Sequence, residues 1–329
     1  MTPLLQTWNI LYTHVKWFTA DTNWQPQPLA KVITPAFWLW LVVTLAALLL
    51  SAILNDSIAR LGAVRRVHRL LNRLRPYLML ILRVGLGIAL LLQLATGTFL
   101  APSFAVHTWW VYALLIVAFL GLLHLRGLAV SGTALALLYM YALSKFGVFH
   151  LLDYLFYIGI IYYLFTANSR WSATGLPVLY ACTGLSLAWL AMEKMTLAKL
   201  ACSLMHEYGL PTLGFTVEDF VLISAFIELG LAWAFIVGLM NRFTALLLTG
   251  LFLTTTTVFG FTEIVGHTAV HTLLLMFLID GSEGSRTLYR LHDSPVLRCM
   301  FVVVNFCILL FGLMSLYIWM GQPGAALAA

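Results

Sequence analysis

Residues 35–54 read PAFWLWLVVTLAALLLSAIL, a run of 20 residues without an ionisable side chain. A transmembrane helix needs roughly 20 mostly apolar residues, so this run predicts a membrane span over 35–55. Residues 56–76 follow directly and carry six arginines between apolar side chains at helical spacing. This pattern predicts a basic amphipathic helix at the cytoplasmic surface, held by anionic lipid headgroups. Docking of a cytoplasmic partner is the alternative role for the helix.

The composition of the whole chain is typical of a membrane protein. Of its 329 residues, 62% are hydrophobic and only 9% are charged, whereas soluble domains are about 25% charged. Long unbroken apolar runs favour an all-α transmembrane helix bundle, because a β-barrel would show short alternating segments. The net charge of +6 lies in loops between apolar runs, which argues against nucleic acid as a partner. The expected partners are the lipid bilayer and a membrane or periplasmic protein.

Apolar runs predict ten spans, separated by turn and breaker residues. Two stretches resemble each other, LRVGLGIALLLQLATGTFLAP from Leu82 and LYACTGLSLAWLAMEKMTLAK from Leu179. Each opens a run of four spans, so residues 77–167 and 177–281 are interpreted as two four-span bundles related by duplication. The predicted spans are 35–55, 77–97, 106–125, 127–145, 148–167, 177–194, 219–240, 242–260, 262–280 and 298–320.

The cationic residues sort to two sides when the chain is followed through ten spans. Cation-rich loops face the cytoplasm. With 56–76 placed there, every arginine falls on or near the cytoplasmic face and the five lysines fall on the other. The protein is therefore predicted to lie in a bacterial inner membrane, with both termini in the periplasm.

Residues 1–34 carry Trp8, Trp17 and Trp24, which predicts an outer interfacial segment. They lack the pattern of a cleavable signal peptide.

Ionisable residues within the membrane are concentrated in its outer half. Charged groups at that depth are costly and usually face a cavity or a partner. Glu228, near the middle of the seventh span, and Glu193, at the outer end of the sixth, are predicted to be catalytic carboxylates. His150 and Asp153 begin the aromatic-rich fifth span and are assigned to cofactor binding, with a quinone as the candidate. A histidine at the end of a span is more often an interfacial residue, which is the alternative for His150.

The ninth span carries the sharpest signal, in the sequence TEIVGHTAVHT. Glu263, His267 and His271 recur every four residues, so they form a stripe that drifts by roughly 40° per step around the helix. Two histidines at i and i+4 can reach one metal ion, and His206, in the outer loop after the sixth span, is a further candidate ligand. Imidazole and carboxylate ligands suit iron, copper or zinc. Haem would need His271 and a histidine from another span, and a structural hydrogen-bonded network is the alternative.

Three motifs resemble the DoxX-like family of four-helix membrane proteins. They are AMEKM at 191–195, YGLP at 208–211 and FIELGLAWAFIVGLMNRFTALLL at 226–248. The resemblance covers about 179–281, with 82–167 as a diverged second copy. It implies redox chemistry at the membrane, since the family includes thiosulfate:quinone oxidoreductase subunits. The chain departs from the family in its much greater length, and the Glu263, His267 and His271 stripe lies outside the family pattern.

Three alternative functions are consistent with these residues. The first is a membrane oxidoreductase, in which a His/carboxylate metal site faces the non-cytoplasmic side and exchanges electrons with quinone while Glu228 transfers protons. The second is a transporter or uptake protein for a metal ion or small solute that reaches the same residues from outside. The third is a non-catalytic membrane subunit or assembly factor, with the outer loop and the basic helix as docking surfaces. The resemblance favours the first.

Overall fold

The computed structural model describes residues 25–209, 212–281 and 287–322. The predicted interfacial tryptophans and the end of the YGLP turn lie outside these residues. The strands β1 (Thr98–Phe99) and β2 (Ala101–Ala105) form a short antiparallel hairpin. The helices are α1 (Leu29–Val32), α2 (Pro35–Ala59), α3 (Gly62–Asn72), α4 (Leu78–Thr96), α5 (Trp109–Leu122), α6 (Leu128–Leu151), α7 (Leu155–Thr166), α8 (Ser172–Thr196), α9 (Ala198–Glu207), α10 (Val217–Val237), α11 (Asn241–Phe259), α12 (Phe261–Asp280) and α13 (Pro295–Met320).

Eight helical stretches among the described residues are long and apolar enough to cross a membrane. Two of them run through turns, so that one contains α3 and α4 and another contains α6 and α7. Helix α5 is apolar but has only 14 residues. The predicted helical membrane bundle is therefore confirmed. The count of ten spans requires α5 to be included and α6 and α7 to be counted separately, and it stays a prediction.

The chain reverses direction between α6 and α7. Gly147 has φ 78° and ψ 167°, which interrupts the helical path. The Tyr139 hydroxyl donates to the Leu151 carbonyl over 2.8 Å, whereas a straight helix would hold residues so spaced about 18 Å apart. Gly132, near the start of α6, packs against Phe165 at the end of α7. Residues before and after Gly147 therefore form two helices that lie side by side.

The β1–β2 hairpin differs from the sequence prediction. A third span was expected over 106–125, but the hairpin occupies residues up to Ala105 and α5 begins only at Trp109. The Gln93 side chain holds the hairpin, since its Oε1 accepts the backbone N–H of Leu100 over 2.9 Å. Strands this short have no detectable alternation in sequence, which is why the pattern predicted only a turn.

Arginine side chains tie together one end of the bundle. Arg83 donates to the Leu122 and Leu123 carbonyls, each over 2.5 Å, so the start of α4 lies beside the end of α5. Arg75 forms a 2.8 Å ion pair with Asp280, which adds the end of α12. We call this the arginine end of the bundle.

The described parts of both terminal segments lie at the opposite end. The Gln27 backbone N–H donates to the Thr196 carbonyl over 2.9 Å, so the chain before α1 meets the end of α8. Pro26 packs against Gly321, just after α13. The chain before α1, the end of α8 and the end of α13 therefore meet at the end of the bundle opposite the arginine end.

The basic segment 56–76 is not one helix as predicted. Helix α2 continues to Ala59, α3 covers Gly62–Asn72, and a separate 3₁₀ turn follows at Arg75–Tyr77. No residue of α3 is buried. Val67 and Leu70 are 54% and 61% exposed. Helix α3 therefore rests against the bundle along one side and leaves apolar side chains open on the other.

Helices α8 and α12 are the most buried of the membrane-length helices. Helix α8 packs against α7 and α10, and α12 packs against α4 and α11. Burial on most sides explains why these two helices show no clear apolar stripe. Most of the ionisable residues they carry therefore lie inside the protein, namely Glu193, Glu263, His267 and Asp280.

Candidate functional site

The centre of the candidate site is a buried contact between a carboxylate and an imidazole on α12. Gly260 separates α11 from α12 with φ 66° and ψ −137°, a conformation that glycine adopts readily and other residues rarely do. Glu263 stands in the first turn of α12, and its Oε2 pairs with Nδ1 of His267 one turn later. Both residues are buried, at 4% and 3% exposure. Glu263 and His267, the first two residues of the predicted stripe, are therefore in direct contact.

Aromatic rings and hydroxyl groups surround His267. The Phe252 ring on α11 lies 4.7 Å from the His267 ring and 6.1 Å from that of His271, measured between centroids. A cavity of about 10 Å³ beside His267 is also lined by Thr183 and Ser186 of α8. That volume is near the minimum that one water molecule needs. The cavity therefore has room for about one water molecule beside the imidazole of His267, and water can carry a proton.

His271 completes the stripe at its more accessible end. It is half-buried, whereas Glu263 and His267 are enclosed by neighbouring helices. Ile264 and Leu275, on the same face of α12 two turns before and one turn after His271, are 42% and 46% exposed, so this side of the helix faces outward from the bundle. The stripe therefore runs from the interior of the bundle toward its lipid-facing surface.

An ion pair joins α8 to α10. Lys194 Nζ contacts Glu228 Oε1. Glu228 is buried at 8% exposure, and Lys194 is half-buried. A carboxylate at membrane depth has to be protonated, paired or ligated, and here it is paired.

The remaining predicted residues gather near α13. Glu193 and Asp153 are each 1% exposed, and both interact electrostatically with the Tyr317 hydroxyl. The Ser186 hydroxyl donates to the Asp153 backbone carbonyl, which fixes the 3₁₀ turn between α6 and α7. The rings of His150 and Phe149 lie 5.4 Å apart. Glu193 and Lys194 therefore serve two different clusters, although they are adjacent in sequence.

The predicted metal ligands are not brought together as one set. His206 is exposed at the end of α9, away from the enclosed Glu263–His267 pair. Within residues 25–209, 212–281 and 287–322, no three His, Cys, Asp or Glu side chains converge as metal ligands would. The assignment of Glu263, His267, His271 and His206 to a metal therefore stays a prediction.

A polar cluster at the arginine end was missed by the sequence interpretation. Asp280 ends α12 at 1% exposure. It pairs with Arg75 and accepts from the Tyr180 hydroxyl over 3.3 Å. A carboxylate is unfavourable at a helix C-terminus because of the macrodipole, so an acidic residue at that position signals a cation nearby. That signal is present in the sequence, but it does not identify Arg75 as the partner.

Arg242 stabilises the same helix end. Its guanidinium donates to the carbonyls of Leu278 and Ile279 over 3.1 and 2.9 Å, and to Asn72 Oδ1 over 2.5 Å. Cations are favourable at a helix C-terminus. Helix α12 thus carries ionisable groups at both ends, with mostly apolar residues between them.

No family model matches the chain, and comparisons with curated proteins and with solved structures likewise give no significant match. The resemblance to the DoxX-like family is not tested by these comparisons and stays a prediction.

Proposed function

We propose that this chain is a ten-span protein of a bacterial inner membrane, with the arginine end in the cytoplasm and both termini in the periplasm. One observation supports this placement. Arg83 of α4 and Arg75 in the turn before it contact the ends of α5 and α12 at one end of the bundle, and cation-rich ends remain cytoplasmic. The Glu263–His267 pair then lies in the outer half of the membrane.

The function that the geometry supports best is proton-coupled redox chemistry at that pair. A buried imidazole in contact with a carboxylate is an arrangement that general acid–base catalysis uses. The pair is the single observation that carries the proposal, because two ionisable groups enclosed together within a membrane are costly unless they are used. Glu228 and Glu193 lie on neighbouring helices and would take part in proton exchange.

A quinone is the proposed redox partner. Quinones move within the lipid, and His271 lies where the stripe approaches the lipid-facing side of α12. An imidazole can donate a hydrogen bond to a quinone carbonyl, and the Phe252 ring provides an apolar wall. A metal held by His267 and His271 is a further part of the proposal and is tested separately.

Quinone binding to the purified full chain in lipid nanodiscs tests the proposal. A short-chain benzoquinone is titrated, and quenching of tryptophan fluorescence is recorded. We expect saturable binding that weakens by about tenfold in His271→Leu, because the hydrogen bond that the imidazole donates to the quinone carbonyl is lost, and by less in His267→Gln, one turn away. His107→Gln, a change at an exposed histidine, is the matched control. Equal binding by all four proteins would contradict the quinone assignment.

Metal analysis and visible spectra of the same preparations test the metal. A stoichiometric redox metal that is lost in His271→Ala supports a metal centre. No metal in the wild-type chain would remove the metal from the proposal and leave proton exchange as its basis.

Transport is the second candidate function, and one observation favours it. Helices α8 and α12 carry polar groups at the arginine end as well, where Tyr180 and Asp280 are in contact. A transported proton or cation needs sites toward both sides of the membrane. In proteoliposomes with an internal pH dye, transport predicts proton entry that is slowed by both Glu263→Gln and Asp280→Asn. Entry at the same low rate in wild type and in both variants would argue against it.

A further inference from the structure

A cavity of about 410 Å³ opens at the arginine end, between α3 and the turn from α10 to α11. Ligand sites in proteins usually measure about 300–1,000 Å³. One wall is formed by the end of α2 and by α3, and the opposite wall by the start of α11. The cavity is far from the Glu263–His267 pair, which lies toward the other end of α12.

The polar part of the lining favours an anion. Arg290 and Arg242 line the cavity, together with His68 of α3. None of the described lining residues carries a carboxylate. Arg242 is held by carbonyls at the end of α12, so it contributes a fixed positive charge, whereas Arg290 is exposed.

The start of α11 adds to this positive field. Asn241, its first residue, lines the cavity. The N-terminus of a helix carries partial positive charge and unpaired backbone N–H groups. Arg242, Arg290 and the N-terminus of α11 therefore all contribute positive charge to the same cavity.

The rest of the lining is apolar and continues toward the membrane. Ile58 and Val64 stand on one wall, and Phe243 and Leu246 on the other. Phe243 and Leu246 are 51% and 57% exposed, so the cavity opens along the lipid-facing surface of α11. A free phosphate would leave this apolar part unfilled.

We propose that the cavity binds one anionic phospholipid, with its phosphate near Arg290 and His68 and its acyl chains along Phe243 and Leu246. The open apolar side of α3 supports this occupant, because Leu70 on that side is 61% exposed and places α3 in the headgroup region. The bound lipid fills the space between α3 and α11 and holds the basic helix against the bundle.

Native mass spectrometry of the full chain, titrated with phosphatidylglycerol or phosphatidylcholine, tests the proposal. We expect one phosphatidylglycerol molecule to be retained in preference to phosphatidylcholine. Arg290→Gln removes one cation and should weaken retention by about fivefold. Arg126→Gln, an exposed arginine outside the cavity, should leave retention unchanged. Ala63→Trp places a large side chain in the cavity and should abolish the preference.

Three results would overturn the proposal. Equal retention of both lipids would remove the charge argument. An equal effect of Arg126→Gln and Arg290→Gln would indicate general attraction to the basic surface. Displacement of phosphatidylglycerol by millimolar inorganic phosphate would make the site one for a small anion. Because Arg290 is exposed, its variant tests the site even if Ala63→Trp fails to fold.

Discussion

The Lys194–Glu228 pair stabilises the contact between α8 and α10, the closest helix pairing that α10 makes. Breaking a buried pair by removing one partner costs about 3–5 kcal/mol, because the other charge remains buried. Lys194 is partly exposed, so the lower end of that range applies. We expect Lys194→Met to lower the free energy of unfolding by roughly 3 kcal/mol, and Lys194→Met with Glu228→Gln to recover part of it. Lys199→Met, at an exposed position, is the control in thermal unfolding. A single variant as stable as wild type would contradict the pairing.

Cys202 on α9 gives a pH-dependent test of how the outer loop packs. Burial, and to a lesser extent the Glu218 carboxylate, raise the pKa of the Cys202 thiol to about 11. At pH 8 only roughly one thiol in a thousand is then ionised, and the thiolate is the reactive form. We expect alkylation of Cys202, followed by peptide mass spectrometry, to be slow at pH 8 and to rise up to about pH 11. Glu218→Gln lowers the pKa and should speed alkylation at pH 9, whereas Glu207→Gln should not. Alkylation at pH 8 as fast as that of a free thiol would show that α9 does not pack on α10.

Gly147 decides the path of one element, the reversal between α6 and α7. Its backbone, at φ 78° and ψ 167°, lies in a region almost restricted to glycine, where another residue costs about 1–3 kcal/mol. A Cβ at this position would meet no atom within 4 Å, so the cost is one of backbone strain alone. We expect Gly147→Ala to destabilise the protein by that amount in thermal unfolding. Gly250→Ala, in open space within α11, should be neutral or slightly stabilising. Equal effects of the two substitutions would contradict the reversal.

Helices and short-range contacts can be predicted from the sequence when they depend on a local pattern, such as an apolar run or an i, i+4 spacing. The apolar runs place most of the long helices within a few residues, with larger errors where α6 passes into α7 and at the start of α8, and the i, i+4 spacing predicts the contact of Glu263 with His267. Contacts between distant residues are not predictable in this way. Asp280 meets Arg75 across 205 positions, and the two-residue strand β1 is held by the Gln93 side chain rather than by a repeating pattern. Glu228 was expected to need a partner, but only packing of α8 on α10 identifies Lys194.

At the scale of the whole molecule, the two ends of the bundle should face opposite sides of the membrane. Arg126 lies in the turn between α5 and α6, and His206 at the end of α9. We introduce Arg126→Cys or His206→Cys into a chain whose four native cysteines are replaced by alanine. In intact cells, an impermeant maleimide should label only the His206→Cys protein, and both proteins should be labelled after permeabilisation. Labelling of both in intact cells would contradict the arrangement of the spans.

Helix α5 spans 14 residues, or about 21 Å at the usual rise per residue, whereas the hydrocarbon layer of a bilayer is about 30 Å thick. Trp109, at its start, is 81% exposed and suits the level of the headgroups. In the proposed ten-span arrangement, lipid beside α5 would compress to match the helix, which costs a fraction of a kcal/mol per Å of mismatch. The protein should be more stable to heat in bilayers of short-chain lipids than in those of long-chain lipids, and the thinned patch beside α5 would attract other short spans. Hydrophobic mismatch at one flank would then give this protein a preference for particular membrane thicknesses and neighbours.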